Sequence, residues 1–291
     1  MTTSAASNFD RISPTALLTA YARQFSDIPY TQEIAELTNA AATVNQFMGK
    51  EQENPITIGL AALVEARYKA IEQVRTQFGG TQILELASGL LPRGVIQSRN
   101  PGITFIESDL PGMIHQKQQL VQQLISDRSN LHFLAINAVT DLDSSLLSDY
   151  FQPDQPVTIL CEGLLMYLSF AEKQQVFANV REILQTFGGV WITPDLNTKV
   201  GAEQMGKNGP AFQPVNQKIT SSTGRLFVEN EFDDLDHVTR FIQAQGFQSE
   251  AVSMLTVADQ LRCLSKLHID SERVQAMLAA LPVFVLKLAK V

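Results

Sequence analysis

From residue 82 to residue 193 the sequence alternates between two periodicities, and this alternation restricts the fold more than any other feature. Short apolar runs at 82–86, 103–107, 131–136, 157–161 and 190–193 have the length of buried strands. Between them, 112–125, 142–150 and 170–187 repeat apolar residues at helical spacing and end in turn residues. Strand, helix, strand in regular succession predicts a parallel sheet with helices on its faces, joined by right-handed crossovers.

The flanks read differently. Residues 13–78 are helical in pattern: Ser13 stands as a cap before Pro14, and the long amphipathic stretch "TIGLAALVEARYKAIEQVRTQF" stops at Gly79 and Gly80. Beyond the fifth strand, residues 199–231 are rich in Gly, Gln, Ser, Thr and Asn and lose periodicity, which predicts an inserted loop or lid. A helix is expected at 233–245, a strand at 247–254, and a terminal strand in "LPVFVLKLAKV". The expected organisation is a helical cap over 1–80, an α/β core over 81–199, a lid over 200–232, and a completion of the core sheet over 233–291. The sheet is expected to be mixed and seven-stranded.

A formal net charge of −8 and an isoelectric point near 5.1 oppose a general affinity for nucleic acid or anionic membranes. The two cysteines, Cys161 and Cys263, and the four histidines show neither a pairing pattern nor metal-ligand spacing, so reduced thiols and no metal are expected. The first residues lack the basic-then-apolar layout of a signal peptide, and no apolar stretch reaches membrane-spanning length, so the expected location is the cytoplasm.

In an open parallel sheet, ligands bind at the carboxyl ends of the strands, beside the first strand. There the stretch "ILELASGLLPRG" carries only Gly89 and Gly94, which matches neither GxGxxG nor a phosphate-binding P-loop. The strand ends "ILE", "FIESD", "LAINA" and "LCEG" instead converge polar side chains on one crevice. Glu107 and Asp109 follow Glu85 at the distance expected of an acid that accepts from ribose hydroxyls, so a nucleoside without phosphates suits the crevice.

These segments resemble the S-adenosylmethionine-dependent methyltransferases of the leucine carboxyl methyltransferase family, including bacterial relatives of polyketide O-methyltransferase type. "QILELASGL", "FIESDLP" and "TILCEGLLMYLS" are similar to its first, second and fourth motifs, and "ARYKAIEQV" to the helix bearing a family arginine. The resemblance runs from about residue 15 to residue 195. It implies a class I, Rossmann-like methyltransferase fold and S-adenosylmethionine as cofactor. It further implies Arg67 near the methionine carboxylate, Ala87 and Gly89 as close backbone neighbours, Asp109 on the ribose, Asn137 and Ala138 beside the adenine, and Glu162 near the methionine amino end. The chain departs from the family pattern at Ala87-Ser88, where Gly-Ala is more usual, at Leu91-Pro92, and at Asn137.

Each residue also has a structural reading. Glu85 reads equally as a ligand contact or as a partner of the glycine turn, and Asp109 as a ribose acceptor or a helix cap. Tyr167 is the candidate catalytic residue or a core tyrosine. Arg23, Tyr30 and Asp195 either face the acceptor or hold the framework.

Methyl transfer from a sulfonium is an in-line displacement at an activated carbon, so alignment and desolvation carry most of the rate. No histidine or carboxylate pair in the sequence advertises a general base, which favours a small acidic acceptor, methylated on a carboxylate or acidic hydroxyl oxygen. Carboxyl methylation of a protein C-terminus, and a cofactor-binding protein of the same fold without turnover, are the alternatives.

Overall fold

A computed structural model describes residues 14–48, 55–140, 142, 144–204 and 230–290. Seven strands among these residues form one sheet of order β3-β2-β1-β4-β5-β7-β6. They are β1 (Gln82–Leu86), β2 (Thr104–Asp109), β3 (Leu131–Ala135), β4 (Val157–Cys161), β5 (Gly189–Thr193), β6 (Phe247–Ser253) and β7 (Pro282–Leu288). β1 to β5 run parallel to one another and β7 runs antiparallel to both of its neighbours, β5 and β6, so the sheet is mixed as expected. The chain steps outward from β1 through β2 to β3, then returns to the other side of β1 for β4. The order therefore reverses between β1 and β4, the point at whose carboxyl ends open α/β sheets bind their ligands.

Two apolar layers follow from the strand pleat, because alternate side chains point to opposite faces. Ile83, Phe105, Leu160 and Ile192 pack with α4 (Pro55–Phe78) in one core. Leu84, Leu86, Ile106, Ile159 and Trp191 pack with α7 (Phe170–Phe187) in the other. Close approach of α4 is helped by its row of small buried residues, Ala61, Ala62, Ala66 and Ala70. Three shorter helices precede it: α1 (Pro14–Arg23), α2 (Thr31–Leu37) and α3 (Ala40–Met48). They share a third cluster that reaches Leu90 and Met113. The crossovers carry α5 (Arg93–Gln97) and α6 (Pro111–Leu124).

Some expectations shift. Among its described residues, the segment 142–150 holds only a short 3-10 turn at Ser144–Leu147 in place of a full helix. Part of the aperiodic stretch is ordered as a helix, α8 (Lys199–Gln204), while the expected Ser13 cap and most of the expected lid, 205–229, lie outside the described residues. After α9 (Leu235–Ala244) and β6, two helices not foreseen, α10 (Cys263–Lys266) and α11 (Ser271–Ala279), lead into β7.

The two ends of the 199–231 excursion meet. Phe232 N–H donates to the Asn197 carbonyl at 3.0 Å, Lys199 N–H donates to the Phe232 carbonyl at 2.8 Å, and the Lys199 ammonium pairs with Asp233 at 2.5 Å. Buried Lys173, on the first turn of α7, ties this neck to the turn after β4: its ammonium donates to the Asn230 carbonyl at 2.8 Å and to the Leu168 carbonyl at 2.6 Å.

α7 begins on a capping box, in which the Ser169 hydroxyl accepts from Glu172 N–H and the Glu172 carboxylate accepts from Ser169 N–H. It ends at Gly188, and Gly189 opens β5 at a φ of 107°, where a side chain would overlap the Val157 carbonyl oxygen. Gly189→Ala combines left-handed strain with an overlap against fixed backbone, and should cost about 3 kcal/mol in a denaturant titration. Lys173 gives a second expectation. Burial lowers its ammonium from 10.5 to about 8, against the pull of Asp195, Glu172 and Glu231. Below pH 8 both the folded and unfolded chain hold that proton; between pH 8 and 10.5 the folded chain releases it first. Stability attributable to this site should rise over that window by up to about 3 kcal/mol, and the rise should be missing from the pH profile of Lys173→Met.

Candidate functional site

The carboxyl ends of β1 and β4 place two acids on a buried floor. Glu85 shares its pleat face with Ile83 and so points into the α4 layer, where it is fully buried. Glu162 follows β4 directly and is also buried. Between them lies Arg93, the first residue of α5, itself fully buried. Its three guanidinium nitrogens each meet a different carboxylate: Nε meets Glu72 of α4 at 2.8 Å, Nη1 meets Glu85, and Nη2 meets Glu162 at 3.0 Å. The Tyr68 ring packs against the guanidinium at 4.6 Å.

Two more arginines close on Glu162. Arg23, ending α1, lies 3.7 Å from Oε1, and Arg67 of α4 lies 3.9 Å from the same oxygen. Burial pushes the Glu162 carboxyl up, but Arg93, Arg67 and Arg23 together bring it below its ordinary value. Burial also raises Glu85, and there Arg93 and Lys117 offset it only in part. Arg23 is lowered by burial and by its neighbouring arginines, against the pull of Glu162. Its Nε has no hydrogen-bond partner among the described residues.

Asp195, two residues past β5, is fully buried and has a framework role. Its carboxylate accepts from the N–H groups of Gly163 at 3.0 Å, Leu164 at 2.7 Å and Leu165 at 3.2 Å, and it pairs with Arg67. It thereby fixes the turn after β4 to the end of β5. Of the residues that the sequence suggested, Arg23, Arg67, Glu85, Glu162 and Asp195 meet in this one cluster.

Ala87, Gly89 and Asp109 form a second group beside it. Ala87 and Gly89 both take left-handed backbone angles, with φ of 52° and 46°. For Ala87 this conformation costs about 1 kcal/mol, which glycine would relieve. Asp109 secures the turn: Oδ2 accepts from Gly89 N–H at 2.8 Å and Oδ1 from Leu110 N–H at 2.7 Å. Burial raises its carboxyl, and the two amides oppose that rise.

Asn137 is exposed, and its side chain accepts from Val139 N–H at 3.2 Å in the turn after β3. The Ala138 carbonyl of that turn accepts from Asn179 at 2.9 Å. Tyr167 packs against α1, its hydroxyl bonded to Thr15; burial raises the phenol and keeps it protonated. Tyr30 is held elsewhere, its hydroxyl accepting from Arg99 at 2.9 Å under a cation–π contact of 5.1 Å.

Sequence reading missed Arg93 and Lys117. Lys117 lies 2.5 Å from Glu107 and also donates to the Ser88 carbonyl at 3.2 Å, behind the glycine turn. Glu107 is thus committed to Lys117 and to Gly94 N–H at 3.1 Å. The available signal was the acids themselves: Glu85 and Glu107 follow apolar residues within buried strands, and buried acids require cationic partners.

A family model described as leucine carboxyl methyltransferase matches residues 5–181. Among curated relatives, a candidate S-adenosyl-L-methionine-dependent methyltransferase of Mycobacteroides abscessus is 29% identical over 152 residues, which are 51% of this chain and 50% of the relative. The chain thus spans about half the length of that relative. Another candidate of the same description, from Mycobacterium ulcerans, is 22% identical over 223 residues, 73% of this chain and 71% of its own. Among solved structures, a candidate methyltransferase from Thermobifida fusca superposes with a TM-score of 0.57 at 15% identity, over 99% of this chain and 100% of that one, a likeness of fold. With over half of its length matched by the family model, and the sheet order and strand-end site described above, the chain belongs to the leucine carboxyl methyltransferase family.

Proposed function

We propose that the protein is an S-adenosylmethionine-dependent O-methyltransferase that acts on a carboxylate or acidic hydroxyl of a small metabolite. The observation that carries this reading is Glu162, a buried carboxylate at the switch point with arginines on more than one side. The methionine end of the cofactor is a zwitterion, and it needs fixed charges of both signs within a few ångströms of each other. Glu162 offers the negative charge to the ammonium; Arg23 and Arg67 offer positive charge to the carboxylate. In this reading Asp109 and the turn at Gly89 would hold the ribose, and the turn of Asn137 and Ala138 would hold the adenine. When bound, the cofactor supplies an electrophilic methyl group; the chain's own contribution is to align donor and acceptor and exclude water.

The acceptor class follows from what the site does with its acids. Glu85 and Glu162 are ion-paired with Arg93, and Asp195 with Arg67, and these pairings oppose the uptake of a proton from an alcohol. Tyr167, held protonated, can donate a hydrogen bond to an anionic acceptor oxygen. An acceptor already ionised at neutral pH suits this set of groups.

Calorimetric titration should show binding of both S-adenosylmethionine and S-adenosylhomocysteine, with a raised unfolding temperature in each complex. Absence of binding at millimolar ligand would overturn the reading. Turnover on small carboxylic acids, set against turnover on peptides ending in a free carboxylate, then separates the metabolite acceptor from a protein C-terminus. Asp109→Asn should weaken S-adenosylhomocysteine binding by about 1.5 to 3 kcal/mol, since an amide replaces only part of a carboxylate's charge-assisted bonds to two hydroxyls. Unchanged affinity with lowered thermal stability would confine Asp109 to securing the Gly89 turn.

A further inference from the structure

The two oxygens of Glu162 are not equivalent. Oε2 takes a hydrogen bond of 3.0 Å from Arg93. Oε1 has Arg23 at 3.7 Å and Arg67 at 3.9 Å, within ionic reach and beyond hydrogen-bond length. One oxygen is tethered, and the other keeps acceptor capacity on the side of the two outer arginines.

Arg93 cannot itself be the ligand contact. It is fully buried, and each of its three nitrogens is occupied, by Glu72, Glu85 and Glu162, while Tyr68 covers its face. What it determines is where Glu162 points. Without it, Glu162 would lie near Glu85 with no cation between them, and its carboxylate would swing toward Arg23 and Arg67 or take up a proton. Lysine does not substitute, because an ammonium is a point charge and cannot span three carboxylates in one plane.

We propose that Arg93 is a positioning residue for the cofactor's amino-acid end: by holding Glu162 through Oε2, it presents Oε1 to the α-ammonium of S-adenosylmethionine or its product. This inference rests on the cofactor reading given above. It assigns to Arg93 an effect confined to one end of the ligand, which a general loss of packing would not produce.

The test uses two ligands that differ only at that end. S-adenosylhomocysteine carries the amino acid; 5′-methylthioadenosine keeps the adenine, ribose and thioether and lacks it. Both are titrated by calorimetry into the wild-type protein, Arg93→Lys, Glu162→Gln and the double variant, with an unfolding midpoint for each. Arg93→Lys should weaken S-adenosylhomocysteine at least tenfold and leave methylthioadenosine within twofold. Glu162→Gln should show the same selectivity, and the double variant should lose no more than Glu162→Gln alone, because Arg93 acts through that side chain. Equal losses for both ligands, or additive losses in the double variant, would overturn the proposal. Should Arg93→Lys fail to fold, Glu162→Gln still decides: wild-type affinity for S-adenosylhomocysteine in that variant leaves Arg93 no contact to position. A wild-type protein that binds neither ligand would instead refute the cofactor reading, and the two failures are therefore distinct.

Discussion

Glu85 and Glu162 end neighbouring parallel strands with their carboxylates out of water, and a single guanidinium, that of Arg93, bonds to both. Burying that many charges is costly unless each finds a partner with good geometry. Here the requirement ties separate elements together: α4 through Glu72 and Tyr68, β1 through Glu85, α5 through Arg93 itself and the turn after β4 through Glu162. Asp195 extends the network to β5, and Arg23 extends it to α1. The strand ends are thus joined by ion pairs as well as by the sheet's hydrogen bonds.

This network sits in only one of the two layers. The α7 side of the sheet is apolar and aromatic, with Phe177 against Trp191 at 4.6 Å and against Phe247 at 5.5 Å. The α4 side carries Glu85 and Glu107 among its apolar residues, with Arg93 and Lys117 to balance them. One face of the sheet therefore works as a conventional core, and the other is part core and part site. The small residues of α4 let that helix approach closely enough for Arg67 and Glu72 to reach the strand ends.

The alternating core was legible because strand and helix periods differ sharply, and buried parallel strands read as short apolar runs. β1, β4 and α7 fall where the pattern put them. The segment 142–150 misled because apolar residues at Leu142, Leu146 and Leu147 mimic helical spacing, while only one tight turn forms. At the site, residues at strand ends could be located from sequence, since a strand's terminus fixes where its side chain emerges. Arg93 could not. It follows a proline in a five-residue helix, where an arginine would ordinarily be solvated, and only the tertiary arrangement of Glu72, Glu85 and Glu162 draws it inward. Asp195 was visible, but its three backbone amide partners belong to a turn that periodicity does not describe.

The neck at Asn197, Lys199 and Phe232 separates the geometry of the sheet from whatever chain lies between its two sides. Hydrogen bonds across the neck hold the two ends of the intervening segment together, and the closure cost of such a segment grows only slowly with its length. Such a junction behaves as a socket: segments of different size and composition could be exchanged there during descent while the sheet and the buried charges remain unchanged. A change of length or composition in that segment would then leave the strands and the buried charges where they are.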